Sequence, residues 1–150
     1  MAKVGLKGGE KMKEALEGIR RRVENAKAVN TGFLSGATYP DGTPVAMVAA
    51  IQNYGAPAAG IPPRPFFTRM VQDKSPGWGI SLGNQLKNTN YDAHKALALM
   101  GEGISGQLQA AIREFKDPPL KPATVKAKGF AKPLIDTSHM LNSTGYEVKE

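Results

Sequence analysis

The chain has 150 residues, carries a formal net charge of +7 and contains no cysteine. That length fits one domain with a modest core. The missing cysteine excludes disulfide stapling, thiolate zinc sites and cysteine nucleophiles, and suits assembly in a reducing cytoplasm. The opening residues contain no continuous apolar segment of the signal-peptide kind, and no run of about 18 apolar residues is present to cross a membrane. The charge is unevenly placed. Residues 1–30 hold eight Lys and Arg against four acids, and residues 112–134 hold six against two. Residues 31–111 are nearly balanced, at five against four. Basic surface therefore comes from two separate segments.

In chain order, residues 9–28 place Met12, Ala15, Leu16, Ile19, Val23 and Ala26 at three- and four-residue spacing. That period predicts an amphipathic helix, ended by Asn30-Thr31-Gly32. "GFLSGATY" and "PVAMVAAIQNYG" then flank "PDGT". Pro40 suits the first central turn position and Gly42 a left-handed one, so a hairpin is predicted. In its second strand Val45, Met47, Ala49 and Ile51 share one face, and Ala46, Val48 and Ala50 the other. Both faces are apolar and both need cover, one from the N-terminal helix, the other from a second helix or a neighbouring subunit.

Residues 55–65 form a Pro/Gly-rich loop ending in "IPPRP". Proline there forfeits ladder hydrogen bonds, whereas Pro65 suits the first turn of a helix predicted over 65–74. Phe66, Phe67, Met70 and Val71 give that helix one apolar patch, and "KSPGWGISLGNQ" breaks it. A long helical pattern returns from 92 to 115. Gly101, Gly103 and Gly106 inside it each cost about 1 kcal/mol relative to alanine, the mark of a close backbone approach or a bend. Residues 116–133 read as a basic, proline-punctuated loop with one helical turn at 122–128. The end reads as an extended entry, a short helix capped by Asp136 or Thr137, and a strand in which Thr144, Tyr146 and Val148 alternate with Gly145, Glu147 and Lys149. The expected fold is α+β: one domain over 1–150, with a small antiparallel sheet (the hairpin plus the C-terminal strand) packed on the N-terminal helix and a long central helix.

Catalytic signatures are missing from this pattern. Neither "GFLSG" nor "GISGQ" has the serine spacing of a nucleophile elbow, and no phosphate-cradling G-x-x-x-x-G-K-[ST] occurs. His94 and His139 lack partners at metal-ligand spacing and read as structural or surface residues. Asp136 reads as a helix cap. Trp78 reads as an apolar anchor in preference to a base-stacking platform. "PPRP" satisfies P-x-x-P, but an SH3-type ligand must stay exposed, and the adjoining phenylalanines tie this one down. No enzyme activity, cofactor or metal is expected.

Two segments carry a resemblance. "AAIQNYGAPAAGIPPRPFFTRM" is similar to a pattern in which [I/H]-x-x-Y-G is followed by a loop and then by I-P-x-R-P-F-[F/L] into a helix. "KPLIDTSHMLNSTGYEV" is similar to P-L-[I/V]-D-T-G-x-[L/M]-x-x-S-[I/T]-x-Y-x-V. In this order they resemble the small neck and tail proteins of long-tailed double-stranded DNA phages, the gene-ten tail-component family of the Hong Kong ninety-seven type and related tail-completion proteins. Ser138 stands where that family often has glycine, and Gly145 where a β-branched residue is common, which weakens the last strand. The resemblance implies a structural subunit that forms a homo-oligomeric ring at the head–tail junction of the virion, assembled in the host cytoplasm. Its partners would be other neck and tail proteins and the packaged DNA, with no membrane involved. On that footing Tyr54, Arg64, Phe66, Phe67 and Trp78 are expected at a subunit interface. Arg20, Arg21, Arg22, Lys126, Lys128 and Lys132 are expected to face DNA or an acidic partner. The stiff proline spacer acts as a latch: it presents the two rings at little entropic cost, to the core or across a seam. The alternative is a basic nucleic-acid-binding protein using Arg20, Arg21, Arg22 and the lysines of residues 116–132. A hydrolase built on Asp136 and His139 has only sequence proximity in its favour.

Overall fold

A computed structural model describes residues 8–128 and 138–150. The elements in order are α1 (Gly9–Val23), β1 (Ala28–Phe33), α2 (Val45–Tyr54), α3 (Phe66–Asn88), α4 (Ala93–Glu114), α5 (Pro122–Lys128), α6 (His139–Asn142) and β2 (Thr144–Lys149). β1 and β2 form a two-stranded antiparallel sheet lying on α4. The fold is α+β.

The predicted hairpin is replaced by something else. Its turn is present: Asp41 Oδ1 accepts from the Thr43 N–H (2.9 Å), and Gly42 has φ 86°. The segment after the turn, however, is the helix α2, and β1 pairs with the C-terminal strand instead. Alternating apolar residues on both faces satisfy a strand, but alanine-rich sequence favours a helix. As a helix the segment buries Val45, Ala49 and Asn53, each four residues apart, along one stripe. Asn30, Thr31 and Gly32 lie inside β1 and do not merely end a helix.

α4 is the hub. Its side-chain cap is Asp92, whose Oδ1 accepts from the Lys95 N–H (3.1 Å). Met100, Ser105, Leu108 and Ile112 follow its buried face. Gly101 has a clear reason: a Cβ there would lie 2.5 Å from Tyr146 Cγ, so only glycine lets β2 rest on α4. Gly145 sits opposite Gly32, and a Cβ on it would lie 2.7 Å from Leu34 Cδ1. The residue expected to weaken the last strand is thus the one that admits Leu34 beside it.

α3 runs for 23 residues, straight through Pro76, Gly77 and Gly79, where the sequence predicts a break. Packing along α4 outweighs the propensity cost, and Trp78 Nε1 donates to Gln107 Oε1 of α4 (2.9 Å) in the middle of that contact. The core collects Val45 and Ala49 from α2, Phe66 and Met70 from α3, Leu108 and Ile112 from α4, and Met140 from α6. α1 was expected to cover the sheet, yet none of its residues is buried. Beyond a light contact with α4, it is fastened to the body just past its C-terminal end. There Ala26 is buried, Asn25 Nδ2 donates to Asp92 Oδ1 (3.0 Å), and Asn25 Oδ1 accepts from the His94 N–H (2.9 Å). The expected caps Asp136 and Thr137 lie outside the described residues. Ser138, the residue before α6, has φ 59° and makes no side-chain cap.

Candidate functional site

The proline loop is pinned at both ends by α2. Gly55 closes α2 with φ 76° and ψ 171°, a region open essentially to glycine alone. A Cβ there would lie 2.8 Å from the Pro63 backbone nitrogen. Across the loop, Ala56 and Ile61 exchange backbone hydrogen bonds (2.9 and 3.1 Å) around a short 3-10 turn at Pro57–Ala59. The Arg64 N–H donates to the Gln52 carbonyl (2.7 Å), and Arg64 Nη1 donates to Gln52 Oε1 (3.1 Å). Arg64 is buried, and its side-chain partner is an amide of its own chain. Pro65, at φ −75° and ψ 52°, lets the Phe66 N–H reach the Arg64 carbonyl (2.7 Å), the tight turn that launches α3.

A helix start leaves several N–H groups without partners. Here Asn53 of α2 supplies one. Its Oδ1 accepts from the N–H groups of Phe67 (3.1 Å) and Thr68 (3.2 Å), and its Nδ2 donates to Thr68 Oγ1 (2.9 Å). Asn53 is itself buried, and all three bonds are at least partly shielded from water. Neither Gln52 nor Asn53 stands out in the sequence. An asparagine before a helix is a known signal, but this one caps a helix that begins 13 residues further on.

The expected interface residues separate into two groups. Phe66 is only 1% exposed and stacks edge-on against Phe33, centroids 6.4 Å apart, so its ring belongs to its own core and is not offered to a partner. Arg64 is likewise internal, and Trp78 anchors α3 to α4. Phe67 is half-buried and divides two apolar recesses. One, of about 480 Å³, runs between β1, α3 and α4. The other, of about 470 Å³, opens between β1 and α2 and is lined by Phe33, Leu34, Ala49, Ala50, Tyr54 and Phe67 among others. Two of its apolar lining residues stay exposed, Tyr54 at 73% and Leu34 at 42%, beside the polar Ser35, Asn53 and Glu147.

The expected basic residues are more scattered. Arg20, Arg21 and Arg22 form the last turn of α1, where cations complement the helix dipole. Arg20 is held by Glu24 (3.0 Å) and Glu17 (3.8 Å). Lys126 is exposed on α5, and Lys128 is the last residue of that helix. Lys132 lies outside the described residues. His139 Nε2 donates to the Thr38 carbonyl (2.6 Å) and its ring lies 4.9 Å from that of Tyr39, which makes it a tie between α6 and the 38–39 backbone. Among the described residues no cluster of three or more His, Asp or Glu could hold a metal ion, and no helix is long and apolar enough to cross a membrane. Comparison with family models, with curated proteins and with solved structures gave no match.

Proposed function

We propose that the protein is a non-enzymatic structural component of a phage neck or tail, a subunit that self-associates into a ring at the head–tail junction. The observation that carries this reading is the latch and the recess beside it. Tyr54, the last residue of α2 before the pinned loop, stays exposed beside a recess that it lines together with the exposed Leu34. Contiguous exposed apolar surface of this kind marks an interaction site, and a head-to-tail contact that closes on itself makes a ring. The cations of α1 and α5 then face an acidic neighbouring ring or DNA in the channel.

Light scattering and negative-stain microscopy on the purified chain test this. Closed rings are expected, with Tyr54→Asp giving folded monomers of unchanged thermal stability. A wild-type protein that stays monomeric and is missing from purified particles overturns the reading. Monomers that bind free duplex DNA with steep salt dependence support the nucleic-acid alternative instead.

A further inference from the structure

α1 touches α4 but buries none of its own residues. Met12 is 58% exposed and Leu16 59%, with Val23 also exposed and Ile19 half-buried. Positions 12, 16, 19 and 23 follow a four-three-four spacing, the d-a-d-a order of a heptad. Such a stripe is the narrow seam of a helix pair. A helix lying on a bilayer presents a wider apolar face with large aromatic side chains, and α1 has no aromatic residue.

The charges around the seam narrow the partner. On the same heptad Lys13 and Arg20 occupy e positions and Arg22 a g position beside Ala15. Lys13 is exposed and has no ion pair among the described residues, Arg20 is shared with Glu17 and Glu24, and Arg22 is half-buried with its Nε enclosed. The charge directly bordering the seam is therefore basic, while Glu10, Glu17 and Glu24 sit at b on the outer side. A second α1 is a poor fit. Antiparallel, it sets Lys13 against Arg20; parallel, it brings two Arg20–Arg22 clusters together. No other described helix of the chain offers the complement. The exposed face of α2, with Ala46, Met47, Ala50 and Tyr54, carries no charge, Ile80 on α3 stands among uncharged residues, and Leu99 on α4 lies between Lys95 and Glu102.

We propose that α1 is a docking helix for a different protein, pairing as one half of a short two-helix coiled coil with an amphipathic helix that carries apolar residues at a and d and Glu or Asp at e and g. This assignment stands whether or not the chain forms rings. The seam covers two heptads, so the contact adds to a larger assembly, and a free peptide must be tethered to populate it.

The absence of cysteine makes the tether simple. In the full chain, Glu10→Cys places a single thiol on the outer face of α1. The probes are synthetic three-heptad helices with Leu at a and d, Glu at e and g, and a cysteine at either end. Mixed-disulfide yield is read at equilibrium in a glutathione buffer. The Glu-bordered helix is expected to exceed a Lys-bordered control by about ten-fold or more. That excess disappears in Glu10→Cys/Leu16→Asp and shrinks in about 1 M salt. Circular dichroism checks that Leu16→Asp remains folded. Equal yields for the two probes, survival of the excess in Leu16→Asp, or preferential disulfide pairing of α1 with another α1 overturns the proposal. So does sedimentation of the cysteine-free protein with anionic phospholipid vesicles that Leu16→Asp abolishes, which would assign the seam to a membrane surface.

Discussion

α1 and the 52–68 segment invert what their sequences advertise. α1 has the cleanest period in the chain and buries no residue. The 52–68 segment has no period at all through its prolines, yet it holds Asn53, Arg64 and Phe66, all buried, and ties two helices together. Periodicity reports that a helix has an apolar side; it does not report whether the same chain supplies the other half of the contact. Stiffness and hydrogen-bond closure, which leave no periodic trace, decide where the fold is tight.

The contrast can be broken at several points. Phe66→Ala removes a fully enclosed ring and should cost about 3–5 kcal/mol in urea unfolding; a cost near zero would mean that the latch is not seated in the core. Gly55→Ala drives a Cβ into the Pro63 backbone and forces a glycine-only conformation, and Asn53→Ala orphans the Phe67 and Thr68 N–H groups. Each should cost about 1–3 kcal/mol by the same measurement. Ser138→Gly relieves a left-handed residue at the start of α6 and should stabilise by up to about 1 kcal/mol, read as a rise in melting temperature. Leu16→Ser, in the strongly periodic but uncovered helix, should change stability by no more than about 0.5 kcal/mol.

A further test concerns the joint between the two regions' neighbours. The Asp92 carboxyl is held below its ordinary value of 3.8, first by the hydrogen bond from Asn25 and then by the Lys95 N–H. A lowered carboxyl contributes stability above its unfolded value and loses it as pH falls through the lower folded value. Unfolding midpoints followed from about pH 6 to about pH 2 should therefore fall less steeply in Asp92→Asn than in the parent chain.

Much of the helical layout was legible. α1 and α4 follow their apolar spacing, the 122–128 turn forms α5, and β2 occupies the alternating residues at the end. α2 was misread because alanine-rich sequence with apolar residues on both sides satisfies a strand and a helix alike, and only the four-residue interval of Val45, Ala49 and Asn53 separates them. α3 was cut short because Pro76 and its glycines argue locally for a break, while the contact with α4 through Trp78 and Gln107 argues non-locally against one. At the candidate site, Arg64, Phe66 and Trp78 stand out by residue type; the sequence leaves core and subunit seam both open for the rings, and the structure seats Phe66 in the core and ties Trp78 to α4. Gln52 and Asn53 were missed because their partners lie in another helix, beyond the reach of any local motif.

The asparagine cap has a consequence for cooperativity. Because the acceptor for the Phe67 and Thr68 amides belongs to α2, the first turn of α3 has no cap of its own to keep when α2 lifts away. Melting of α2 therefore frays the neighbouring helix in the same event and loosens Phe66 from its socket. In native-state hydrogen exchange those two amides should open together with the α2 backbone as one unit, well before the middle of α4.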